Sequence, residues 1–232
     1  MNNLISLNKI SKSFSNNKKI SVLKKISYSF VKGKVYSLMG PSGSGKSTLL
    51  NILSMIDKPT SGSLSINNNL INFSDNVDND TIRSKKIGII YQQNNLLPDF
   101  TALENVYFAS LASGNNKKIS IEKAKKIIER MGLSSREHHY PSELSGGEMQ
   151  RVAISRALIN EPEIILADEP TGSLDQTTAK EVFNILYNLK NKNRLIIYAT
   201  HNRFFANMAD CKLEMIDGSI KTINARIKQS KI

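Results

Sequence analysis

Short apolar runs of strand length recur along the chain. Val35-Tyr36-Ser37-Leu38-Met39, residues 87–91 (Ile-Gly-Ile-Ile-Tyr), Ile164-Ile165-Leu166-Ala167 and Leu195-Ile196-Ile197-Tyr198-Ala199 each read as a buried strand. Between them the spacing turns helical. Leu49, Leu50, Ile52, Leu53 and Ile56 share one face, and Val182, Ile185, Leu186 and Leu189 predict a helix over 177–189. Leu103 and Val106 open another helical pattern. Ile121, Ala124, Ile127, Ile128 and Met131 form an apolar face with Ser120 as N-cap and Gly132 just past the end. Residues 1–39 break into short strands, Leu4–Leu7, Val22-Leu23 and Tyr28–Phe30, with a turn at 15–19; Leu64-Ser65-Ile66 alternates like a strand. Residues 57–62 are a break, Asn67-Asn68-Asn69 and 74–80 a polar loop, and Asp217-Gly218 a two-residue hairpin turn. The pattern predicts an α/β core with a helical subdomain over 93–160.

Composition narrows this. The 232 residues suffice for one domain with a sizeable core, and 40% hydrophobic content favours folding over disorder. Cys211 is the single cysteine, so no intrachain disulfide forms; it reads as an ordinary small buried or half-buried residue in a reducing compartment. No N-terminal stretch has a signal layout and no apolar run reaches membrane-helix length, so a cytosolic chain is expected. The net charge of +12 admits nucleic acid or anionic lipid as neighbours. The lysines are scattered in pairs rather than gathered in a block, which reads as a basic surface with no specific nucleic acid expected.

Gly40-Pro41-Ser42-Gly43-Ser44-Gly45-Lys46-Ser47-Thr48 fits G-x-x-x-x-G-K-[ST] between a strand and a helix. The glycines let backbone N–H groups converge on phosphates, and the helix N-terminus adds its dipole. Lys46 supplies a mobile charge for the β- and γ-phosphates, and Ser47 a hard oxygen for Mg²⁺. This loop predicts ATP and Mg²⁺ as ligands.

Other polar groups end the apolar strands. Asp168 can hold Mg²⁺ through water, and Glu169 beside it can orient or deprotonate an attacking water. His201 can hydrogen-bond a γ-phosphate, and the Gln92 amide oxygen can reach Mg²⁺. Phe14, read locally, is a core residue of a small sheet. Leu144-Ser145-Gly146-Gly147-Glu148 precedes a second helix start and offers a second anion site. Two phosphate-seeking loops in one chain suggest a symmetric dimer in which each loop serves the partner's nucleotide.

Leu144 to Glu148 matches the signature of the ATP-binding-cassette (ABC) ATPases. The loop at 40–48, Gln92, Ile164 to Glu169, Ser173-Leu174-Asp175 and His201 match the family's other motifs in its order. The resemblance implies a P-loop, RecA-like core, an antiparallel β subdomain and an inserted helical signature lobe. The single cassette spans 1–232, with 1–92 and 161–232 as core plus β lobe and 93–160 as the helical lobe. It implies a homodimer with two sandwiched ATPs, Ser145, Gly146, Gly147 and Asp175 acting across it. It makes Phe14 the aromatic that stacks on adenine, and Glu169, His201 and Lys46 the catalytic residues.

Residues 96–106, Pro141–Leu144 and Ala167–Gly172 resemble more closely the ATP-binding subunit of the bacterial lipoprotein-releasing system. That implies an ATP hydrolase on the cytoplasmic face of the inner membrane, coupled to separately encoded permease subunits. Macrolide-export and cell-division relatives share most motifs but are less similar over 96–106. Met149, the bulky Tyr107-Phe108 and the Asn/Asp-rich 67–80 depart from the group. A soluble nucleic-acid-linked cassette is set against the lack of a second cassette, and a P-loop kinase has no use for 144–148.

Overall fold

A computed structural model describes residues 3–16 and 18–225. The expected turn at 15–19 lies partly outside them, and most of the basic tail from Ala225 lies beyond. The elements run β1 (Asn3–Asn16), β2 (Lys18–Val31), β3 (Val35–Met39), α1 (Lys46–Leu53), β4 (Ser61–Ile66), β5 (Asn69–Leu70), α2 (Asn76–Lys86) and β6 (Ile87–Ile90). They continue with α3 (Ala102–Ala112), α4 (Lys117–Arg130), α5 (Gly146–Leu158), β7 (Ile164–Asp168), α6 (Gln176–Asn188), β8 (Leu195–Ala199), α7 (Arg203–Ala206), β9 (Cys211–Ile216) and β10 (Ser219–Ala225). Two compact units divide the chain, one made of residues 1–75 and 190–232, the other of 76–189.

In the first unit β1 pairs antiparallel with β2 and β4, and β4 with β5. The sequence pattern shows only fragments of β1 and β2. Both are 14 residues long, and four register shifts between them interrupt the alternation by which a strand is recognised. Asn67 and Asn68 make the β4–β5 turn at φ 51° and 64°, conformations asparagine tolerates, and Asn69 belongs to the strand. Beside this antiparallel sheet, β3 lies parallel to both β8 and β9. β8 is buried throughout and β3 nearly so, as unbroken apolar runs require. Asp217-Gly218 closes the β9–β10 hairpin as expected, at φ 46° and 73°. Cys211 on β9 is half-buried, and burial pushes its thiol pKa up.

In the second unit β6 and β7 pair in parallel, and α3, α4 and α5 enclose an apolar core around Val106, Ala124, Ile128 and Val152. The departures at Tyr107, Phe108 and Met149 are absorbed here. Tyr107 is buried, its ring 4.9 Å from Phe108, which meets Phe100 edge-on at 4.9 Å, and Met149 packs on the same cluster.

Two expectations are corrected in this unit. α4 is capped by Asn116, whose side chain accepts from Ile119 N; Ser120 is fully buried inside the helix and donates to Ser110 Oγ at 3.0 Å. The lysines at 117 and 118 hid that first turn from an apolar count. Residues 76–80 are helical rather than loop. α2 is held by Asp78 near its start, basic Arg83, Lys85 and Lys86 at its end, and an Asp80–Arg83 pair, so charge substitutes for apolar periodicity.

Candidate functional site

The parallel registers decide which loops meet. In the first unit Leu38 of β3 pairs with Ala199 of β8. Gly40 and His201 therefore leave the same edge, the end of a parallel sheet where ligands are received. His201 is exposed there, next to buried Thr200.

The phosphate loop wraps from β3 to α1. A Cβ on Gly40 would lie 2.3 Å from the Met215 carbonyl oxygen, and φ of +151° is a glycine conformation. Gly45 stands at the N-cap of α1 with φ +102°, and no side chain caps the helix. Lys46 Nζ lies back over the loop, donating to the carbonyls of Gly40 at 2.8 Å and Pro41 at 3.1 Å. Ser44 Oγ is buried and lacks a hydrogen-bond partner among the described residues. Pro41, Ser42, Gly43 and Ser47 are exposed, and Thr48 is half-buried. An uncapped helix start, an ammonium resting on carbonyls and an orphaned buried hydroxyl fit a triphosphate; the Ser47 hydroxyl in the first turn suits a hard cation beside it.

Phe14 stands on β1 and is 45% exposed, which corrects its local reading as a core residue. Sequence reasoning missed its neighbour. Lys12, two residues back on β1, holds Nζ 4.9 Å from the Phe14 ring centroid.

In the second unit Ile90 pairs with Ala167, so Gln92 and Asp168-Glu169 leave one edge of the β6–β7 pair. Both neighbours converge on Gly172, where a Cβ would come within 3.0 Å of Gln92 Nε2 and 3.4 Å of Glu169 Cβ. Asp168 ends β7 half-buried. Glu169 has φ +46°, an uncommon backbone for a glutamate, and its carbonyl accepts from Gly172 N at 2.9 Å.

The signature stretch starts α5 with a complete capping box. Glu148 N donates to Ser145 Oγ at 3.3 Å, and Ser145 N and Oγ each donate to Glu148 Oε2 at 2.8 Å. Arg136 Nε donates to the other carboxylate oxygen at 2.9 Å. The Ser145 N–H and hydroxyl, with the Arg136 guanidinium, hold the Glu148 carboxyl down at about 2. The Ser145–Glu148 spacing is a capping-box signal that could have been read in the sequence; nothing local points to Arg136, 12 residues away. Asp175 caps α6, accepting from Thr177 N and Thr178 N, and the Thr178 hydroxyl and N–H hold its carboxyl below the usual range. The two helix starts are nested. A Cβ on Gly146 would come 3.3 Å from Leu174 Cδ2, and one on Gly147 only 2.5 Å from Thr178 Cγ2.

The sequence profile described as ABC transporter matches residues 23–172. This chain belongs to the ABC transporter family. Among its relatives in that family, the lipoprotein-releasing system ATP-binding protein LolD of Rickettsia bellii is 45% identical over 221 residues, covering 94% of this chain and 98% of the relative. The protein of the same name from Bacteroides thetaiotaomicron is 41% identical, covering 94% and 99%. The ATP-binding cassette MJ0796, solved as a dimer in a post-hydrolysis state bound to ADP and Pi, superimposes with a TM-score of 0.87 at 35% identity, covering 95% of this chain and 99% of that one. The P-loop ABC ATPase fold and the ATP-hydrolysing activity expected from the motifs are those of this chain. Among the described residues, no helix of this cassette is long and apolar enough to cross a membrane.

Proposed function

We propose that this ATPase powers the release of lipoproteins from the bacterial inner membrane. Two copies work as a homodimer on the cytoplasmic face and drive separately encoded permease subunits. The observation that carries this reading is the near end-to-end match to lipoprotein-releasing ATP-binding proteins, at 45% identity over 94% of the chain for the R. bellii relative. The dimeric cassettes among the solved neighbours support the homodimer.

In this reading Lys46 leaves the Gly40 and Pro41 carbonyls for the β- and γ-phosphates. The Ser44 hydroxyl gains the acceptor it lacks, and the open start of α1 receives negative charge. Mg²⁺, when bound, supplies charge neutralisation on the phosphates; Ser47, Gln92 and, through water, Asp168 are the hard oxygens that would hold it. Glu169 accepts the proton of the attacking water, and His201 hydrogen-bonds the γ-phosphate. Phe14 stacks on adenine. Ser145, Gly146, Gly147 and Asp175 address the nucleotide of the other copy, so closure needs two ATPs and opening follows their hydrolysis. Residues 93–108 are the proposed permease contact, where Leu97 and Phe100 are 45% and 38% exposed.

Co-purification from gently solubilised native membranes, with partners identified by mass, tests the assignment. A pair of lipoprotein-releasing permease subunits is the expected result. A different permease would overturn the cargo, and no membrane partner would overturn the transporter reading.

A further inference from the structure

Lys12 is a buried lysine outside the phosphate machinery, and its ammonium has a defined set of contacts. Nζ donates to Asp57 Oδ1 at 2.6 Å and to the Lys58 carbonyl at 2.8 Å. Asp57 is itself fixed by the Lys58 backbone N–H at 2.8 Å. An ammonium has three N–H donors, and two are taken. Among the described residues, the remaining contact is the Phe14 ring, whose centroid is 4.9 Å away. That distance is within the range in which a cation is attracted to the π face.

We propose that Lys12 is a positioning residue for nucleobase selection, clamping one face of the Phe14 ring so that only the opposite face is offered to a purine. The proposal rests on Phe14 being the adenine platform. An exposed phenylalanine at a strand surface keeps its ring torsions unless something holds them. A cation seated between an aspartate and a carbonyl holds the ring without filling the open face. It also draws ring electron density toward itself, so the free face repels an electron-rich base less. Asp57 and Lys58 follow α1, so the clamp fastens the base platform to the segment just past the phosphate-loop helix.

The test compares affinity for ATP with affinity for inorganic tripolyphosphate, both with Mg²⁺, in the full-length chain. Tripolyphosphate has the phosphates without the base. Lys12→Met is expected to weaken ATP roughly fivefold, the worth of one partly desolvated cation–π contact, and to leave tripolyphosphate unchanged. Lys12→Arg is expected to keep the ratio near that of the parent. Asp57→Asn, which loosens the ammonium without removing its charge, is expected to shift the ratio the same way as Lys12→Met. The double variant Lys12→Met/Phe14→Ala should match Phe14→Ala alone, because the lysine then has no ring to hold. If Lys12→Met weakens both ligands equally, or neither, the positioning role is overturned. If Phe14→Ala lowers the ATP-to-tripolyphosphate preference and Lys12→Met does not, Phe14 remains the platform and the clamp is rejected. If Phe14→Ala leaves that preference intact, the adenine assignment falls and the clamp with it.

Discussion

The chain has two glycine-rich loops at the start of two helices, and they are finished in opposite ways. The loop before α1 is left open: among the described residues no side chain caps the helix and Ser44 Oγ is buried without a partner, and Lys46 rests on carbonyls it can leave. The loop before α5 is closed on itself, with Ser145 and Glu148 capping each other and Arg136 bound to the carboxylate. From sequence the two look alike, since both put Ser and Gly at a helix N-terminus. The difference is that the first loop leaves open a helix start and a hydroxyl that a triphosphate would fit. The second is complete alone; in the proposed dimer its serine exchanges an internal acceptor for an external one. Such a loop can remain folded and unreactive until a nucleotide is presented to it.

The sharpest test separates chemistry from both loops. Glu169→Gln changes neither loop, yet turnover is expected to fall by about 10²–10⁴, the usual worth of a general base, while ATP binding and an ATP-bound dimer persist in size-exclusion chromatography. Turnover at the parent rate would remove Glu169 from the base role. Lys46→Ala attacks the open loop, and ATP affinity measured by calorimetry should fall by at least about tenfold, since charge-assisted hydrogen bonds to phosphate are lost. Unchanged affinity would contradict the role drawn for the lysine. Ser145→Arg attacks the closed loop: the monomer should bind ATP as before while hydrolysis by the dimer is suppressed. Intact activity would mean that α5 does not face the partner's nucleotide.

The smallest effect concerns the cap itself. Glu148 has a folded-state carboxyl held at about 2, below its ordinary 4.5. Its contribution to stability is therefore fully present above the ordinary value and is lost as pH falls from there through about 2. Glu148→Gln should flatten that part of the acid limb in a urea-midpoint series between about pH 5 and 2. An unchanged slope would show that the capping carboxylate makes no net difference.

Much of the architecture was legible because the short apolar runs at β3, β6, β7 and β8 are buried in parallel pairing, and burial on both faces writes itself as unbroken hydrophobicity. What was not legible has specific causes. Bulges cut β1 and β2 into apparent fragments. Lysines hid the start of α4, and α2 is stabilised by charge order that an apolar count ignores. In the candidate site, motif spacing named the residues proposed to touch a ligand. The residues bonded near them, Lys12, Asp57 and Arg136, are paired across long sequence separations, 45 residues for the Lys12–Asp57 pair. They emerge only when the chain is folded.

The nesting of Gly147 against Thr178 leaves no room for even a methyl group between the starts of α5 and α6. A side chain at position 147 would force the two helix starts apart. In the proposed dimer, the two contacts to the neighbour's nucleotide are therefore fastened to each other within one subunit.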